Sequence, residues 1–154
     1  MNTNIVDEHQ FHDNLIRGVI FASEVGDFSS DIHFDIDHIV KWVHCSVKEG
    51  ESLFSVTRAL LKFHDVSDLN LDISWGNTQY TKYAGYSSGI YILDIIKRKI
   101  ESPLAPRAEN YYEWEILTNN KNSIIKFGAS SMSLELIGAP MTVNRQYLLN
   151  DERK

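Results

Sequence analysis

The chain has 154 residues, 43% of them hydrophobic and 23% charged, with a formal net charge of −6 and a pI of about 5.4. That size and balance describe a single domain over residues 1–154, long enough to bury a core, and exclude a disordered polymer. The acidic surplus argues against nucleic acid as a partner, because phosphate binding needs a basic surface; it fits a protein partner, a basic one suiting the charge best.

Cys45 is the only cysteine, which excludes an internal disulfide and leaves a thiolate zinc site short of ligands. It reads as a small core residue. Residues 1–10 are polar and acidic and, with residues 148–154, read as loose tails. They carry no apolar stretch of the signal-peptide kind. No apolar run approaches the roughly 20 residues that span a bilayer, so no membrane role and a cytoplasmic location are expected.

In chain order, Leu15 to Ser23 is apolar and β-branched and reads as a first strand. Glu24-Val25-Gly26-Asp27 supplies a turn. Asp31 to Asp37 alternates, with Ile32, Phe34 and Ile36 facing a core and His33, Asp35 and Asp37 facing away. The phase slips near His38, which predicts a bend or bulge. The stretch from Asp37 to His44 is the best helical candidate, with strand continuation its equal.

Lys48-Glu49-Gly50-Glu51 is a turn, and Leu53 to Val66 alternates again. Asp65-Val66-Ser67-Asp68 reads as a corner. Leu69, Leu71, Ile73 and Trp75 then alternate with Asn70, Asp72 and Ser74. Gly76 to Gly89 reads as a long loop, and long ordered loops are often functional. Ile90 to Ile100 resumes a strand, and Pro103 and Pro106 place the next segment outside a sheet interior. Tyr112, Trp114 and Ile116 alternate before a hairpin connection over Thr118 to Asn122. Ile125, Phe127 and Ala129 share a face on the return, and Leu134 and Leu136 continue the pattern before Gly138 and Pro140. The sum is an all-β chain with at most one short helix. About seven or eight strands at this spacing predict an antiparallel β-sandwich or barrel.

Phe11-His12-Asp13, Asp35-Ile36-Asp37-His38-Ile39-Val40-Lys41-Trp42 and Phe63-His64-Asp65-Val66-Ser67-Asp68-Leu69 together resemble a family of small uncharacterised bacterial proteins. Its members carry an N-terminal His-Asp pair, an Asp-Ile-Asp-x-Ile-x-x-Trp strand and a Phe-x-x-Val-x-Asp-Leu corner. The resemblance covers the first half of the chain. It implies a bacterial cytoplasmic β domain and transfers no catalytic residue, since the family has no established activity.

The residues themselves offer few chemical constellations. His12-Asp13 lacks the helical bundle that a His-Asp metal phosphohydrolase needs, and reads as a tie for the N-terminal loop. His33, Asp35 and Asp37 lie on one strand face with roughly 6.5–7 Å between neighbours. They are a candidate metal site if His64 or Asp72 joins them; the plainer reading is a solvated polar face. Glu113 and Glu115 flank Trp114 on one face and do not oppose each other across a cleft, as glycoside hydrolysis requires. No Gly-x-Ser-x-Gly elbow is present, and His44 and Cys45 are strand neighbours that point apart. No catalytic residue is assigned and no cofactor is expected.

The aromatic set around the long loop is the stronger signal. Trp75, Tyr80, Tyr83, Tyr86 and Tyr91 offer broad amphipathic contact area and are the candidate binding residues. The reading that results is a non-catalytic protein-interaction module, one version being an immunity-type protein that neutralises a basic toxin. The alternatives are a small metal-dependent hydrolase on the His/Asp face and a barrel holding a small ligand. The oligomeric state stays open.

Overall fold

The computed structural model describes residues 10–23, 30–43, 52–76, 89–101 and 110–154. Eight strands run β1 Leu15–Ser23, β2 Ser30–Val43, β3 Leu53–His64, β4 Ser67–Asp72, β5 Ile90–Lys99, β6 Tyr112–Thr118, β7 Ile124–Ala129 and β8 Ser131–Val143. A 3-10 turn over Asn150–Glu152 follows. All pairings are antiparallel, in the order β4-β7-β6-β5-β1-β2-β3-β8. Among the described residues the sheet does not close, so the expected choice between sandwich and barrel falls to two facing halves. Among the described residues, strand pairing joins the halves where β1 meets β5, at Leu15–Tyr91 and Ile16–Ile90, and the short β3–β4 and β7–β8 connections join them at the other end.

The alternation of β2 builds the core. Ile32, Phe34 and Ile36 are buried, as are Ala59, Leu61 and Phe63 of β3. The other half sends in Ile92, Trp114, Ile116, Ile125, Phe127 and Ala129. The Phe63 ring stands at the seam, 5.9 Å from Phe34, 5.1 Å from Trp114 and 4.7 Å from Phe127, all edge-on, the favoured aromatic geometry. The indole N–H of Trp114 donates to the Ala129 carbonyl at 3.2 Å, so its one polar atom is satisfied.

The phase slip expected near His38 appears as a register shift between Ile39 and Lys41. The backbone stays extended to Val43, so no helix forms over the described part of Asp37 to His44. The bulge places Trp42 beside Phe54, with ring centroids 4.7 Å apart. β8 runs on through Gly138 and Pro140, beyond the expected end. A register shift opposite Val56–Arg58 absorbs the extra residues, Gly138 takes a φ of 81°, and an edge strand tolerates a proline. The corner after β3 holds Asp65 at φ 55° and Asp68 at φ 51°, the left-handed region that aspartate accepts more readily than most residues.

Residues 148–154 depart from the loose tail that their composition suggests. Leu148 is buried with Ile39, Phe54, Val56 and Val143 in a second small core on the outer face of β2 and β3. The segment that follows covers Asp37, which is fully buried. Asp37 accepts hydrogen bonds from Arg17 at 3.3 Å, from the Leu148 N–H at 3.1 Å and from Arg153. Arg153 also reaches Asp35 at 2.6 Å, and Arg58 grips Asp35 in a two-pronged contact at 3.1 and 3.2 Å. The C-terminus is therefore tied to the sheet by an ion cluster and an apolar plug.

His38 is buried on the inner side of β2, beside Phe11. Its Nδ1 lies 2.7 Å from Asn14 Oδ1, an atom that also accepts the Ile39 N–H. The Asn14 amide nitrogen donates to His12 O, which fixes the amide's orientation and leaves Nδ1–H as the donor. Burial lowers the His38 pKa. Below about pH 6.5 the unfolded chain takes up a proton here that the folded chain refuses, so stability falls as pH drops. Burial, then Lys62, lowers the His33 pKa, which adds in the same direction. Denaturant midpoints should fall between about pH 7.5 and about pH 5.5, and less steeply in His38→Gln. A wild-type midpoint flat across that window would contradict the assignment.

Candidate functional site

The junction of the two halves leaves an open depression of about 370 Å³, lined by Leu15, Ile16, Arg17, Trp75, Gly89, Tyr91 and Tyr147. Its floor follows from one glycine. Gly89 has φ 87°, and a Cβ there would meet Leu15 Cδ1 at 2.8 Å. Glycine thus lets Leu15 rise under the loop end, at a backbone angle other residues resist. Asn119 holds the loop end in place: it accepts the Tyr91 N–H at 2.8 Å and donates to the Gly89 carbonyl at 3.2 Å.

The walls are aromatic. Trp75 is 67% exposed, an unusual position for the largest apolar side chain, and Tyr147 is 37% exposed. Burial, then the nearby Tyr147 and Asp13, raises the Tyr91 pKa, so its phenol keeps its proton and can donate. Arg17 lends the depression its stem, while its guanidinium turns away to Asp37, the Leu148 carbonyl and Asn150. The site therefore mixes apolar and polar surface, with Leu15, Ile16 and the Trp75 ring beside two phenol groups.

Of the five aromatic residues singled out from sequence, Trp75 and Tyr91 line this depression together. Tyr80, Tyr83 and Tyr86 lie outside the described residues, as do Cys45, His44, Pro103 and Pro106. Tyr147, Gly89, Leu15 and Ile16 were not foreseen. Tyr147 sits just before the supposed tail, and only the docking of Leu148 brings it to the β1–β5 junction.

The polar face of β2 divides. Asp35 and Asp37, offered from sequence as part of a solvated or metal-binding face, are engaged by Arg17, Arg58 and Arg153. Buried carboxylates need such counter-charges, and guanidinium supplies them with two-pronged geometry. His33 pairs in register with Lys62, among Asp31, His64 and Glu135. Asp72 lies on β4, in the other half, opposite Ile124. Among the described residues no group of three or more His, Cys, Asp or Glu side chains is placed to hold a metal ion.

The remaining candidates behave simply. His12 Nδ1 lies 3.1 Å from Asp13, which also accepts from Gln146, and the turn they form carries the buried Phe11 and Asn14. Glu113 and Glu115 both meet Arg98 across the β5–β6 pair, while Trp114 turns inward. No helix among the described residues is long and apolar enough to cross a membrane. No protein-family model, curated protein or solved structure matches the chain.

Proposed function

We propose that this chain is a protein-interaction module that takes its partner at the aromatic depression between β1 and β5. The observation that carries this reading is Trp75, left 67% exposed beside Tyr91 and Tyr147 over an apolar floor. Aromatic anchors around a shallow apolar centre are what protein interfaces concentrate, because each ring removes a large area from water at little entropic cost. The net charge of −6 favours a basic partner, which it would attract from a distance. An immunity-type role, in which the chain neutralises a basic toxin in a bacterial cytoplasm, is the concrete form of this reading.

The other readings find less support. Arginines occupy the carboxylates that a metal-dependent hydrolase would need. A small-ligand barrel needs a closed sheet with room inside; this sheet is open, and the rings of Phe34, Phe63, Trp114 and Phe127 fill its centre.

The test is a pull-down from lysate of the native host with wild type and Trp75→Ala as parallel baits. The expected result is one stoichiometric basic protein held by wild type and reduced at least about tenfold on Trp75→Ala, the loss typical of an interface hot spot. Because Trp75 is exposed, the two baits should melt within about 1 °C of each other. Equal capture by both would reject the depression as the interface.

A further inference from the structure

A second cluster lies away from the depression, on the outer face of β2, β3 and β8. His64 Nδ1 is 2.9 Å from Asp31 Oδ2, and His64 Nε2 is 2.8 Å from Ser133 Oγ. The other Asp31 oxygen accepts the Asp65 N–H at 3.2 Å. These partners settle the roles. The carboxylate can only accept from Nδ1–H, which leaves the Nε2 lone pair to receive the Ser133 hydroxyl proton.

Strand pairing explains how residues so far apart in sequence meet. Ile32 stands opposite Phe63 in the β2–β3 register, and Lys62 opposite Ser133 in the β3–β8 register. Phe63 points into the core, so Lys62 and His64 point out, and Asp31 and Ser133 share their face. β8 is an edge strand and Ser133 is exposed, so its hydroxyl is open to a reactant. Lys62, the direct neighbour of Ser133, brings an ammonium group held by Glu135.

From this geometry we infer that Ser133 is a nucleophile, with His64 as its base and Asp31 as the residue that orients His64, in a surface site that hydrolyses small carboxylic esters. The chain acid–imidazole–hydroxyl is the arrangement that activates serine on unrelated folds, recognised by geometry and not by sequence order. Ser133 Oγ bonds to the ester carbonyl carbon as its proton passes to His64 Nε2. The tetrahedral intermediate then expels the alcohol, which takes that proton. Water, giving its proton to His64, adds to the acyl-serine; collapse releases the carboxylic acid and returns the proton to Ser133. Lys62, the strand partner of Ser133, is the nearest cationic residue on that face, and its ammonium would have to leave Glu135 to reach a carbonyl oxygen gaining negative charge. The face is flat and wet, so it suits a small ester with a good leaving group. This site shares no residue with the depression and stands or falls separately from it.

The experiment treats the full chain with p-nitrophenyl acetate and, separately, with a fluorophosphonate, and maps any adduct by peptide mass spectrometry. The expected results are a phosphonyl adduct on Ser133 and p-nitrophenolate release that falls about a hundredfold in Ser133→Ala and in His64→Gln. Ser133→Ala removes an exposed hydroxyl, so its melting temperature should stay within a few degrees of wild type. Labelling confined to lysine, tyrosine or histidine side chains would overturn the inference, as would equal release by wild type and a folded Ser133→Ala. The network would then be a polar tie across the three strands and nothing more.

Discussion

Replacing Asp37 by asparagine should lower the melting temperature by about 10 °C, a loss of about 3–5 kcal/mol. The substitution keeps the shape and one oxygen to accept the Leu148 N–H, so the effect isolates the charge. Asp37 is fully buried and faces Arg17 and Arg153, the latter with only 10% of its side chain exposed. Removing the carboxylate leaves Arg17 without its carboxylate partner and Arg153 with Asp35 alone, in a largely buried site, and this undercompensated burial is what destabilises. The small outer core of Ile39, Phe54, Val56, Val143 and Leu148 should loosen with it, because the arginines and Leu148 pull on one segment. Thermal melts followed by circular dichroism measure the loss. A change below about 1 kcal/mol would mean that the cluster is solvated and the C-terminal segment rests elsewhere.

Truncating Phe63 to alanine should cost about 3–5 kcal/mol, the range for removing a buried aromatic ring. Phe63 is completely buried and touches the rings of Phe34 from β2, Trp114 from β6 and Phe127 from β7. It therefore bridges the two halves, whose strand pairing among the described residues is limited to two residue pairs where β1 meets β5. The cavity opens between the halves, and both should feel it. Amide exchange should quicken in β6 and β7 as much as in β2 and β3, while Phe63→Leu, which fills most of the volume, should lose less than about 1.5 kcal/mol. Exchange that quickened in one half alone would show that the halves do not share a core.

The all-β architecture was legible because alternation is a local signal. Asp31 to Asp37, Leu53 to His64 and Tyr112 to Ile116 each show the two-residue period of a strand with one buried face, and each is a strand. The slip at His38 was legible for the same reason, since a bulge breaks the period where it occurs. What alternation cannot show is what covers the outer face. Asp37 looks solvated beside His33 and Asp35, yet its partners are Arg17 and Arg153, which lie 20 and 116 positions away. The polar ending Asn150-Asp151-Glu152-Arg153-Lys154 has the composition of a frayed tail, and only the burial of Leu148 and the reach of Arg153 show that it is docked.

The candidate sites divide along the same line. Trp75 and Tyr91 were visible as aromatics flanking a long loop, which is a local pattern. Tyr147 joins them through the fold, 56 positions after Tyr91. The Asp31–His64–Ser133 chain was invisible for a stricter reason. Its members are separated by 33 and 69 positions and no local motif surrounds Ser133. Their meeting depends on the register of two strand pairs, and a one-residue slip in either would turn a member to the opposite face.

The most direct test of the interaction reading is an amide hydrogen-exchange footprint of the wild-type chain with the basic protein it captures. Exchange should slow at residues 15–17, at residues 89–91 and around Tyr147, segments that line the depression, with β4 and β8 unchanged. Protection confined to β8 or to β4, the two edges of the sheet, would contradict it and would place the partner on an open strand edge, away from the aromatic depression.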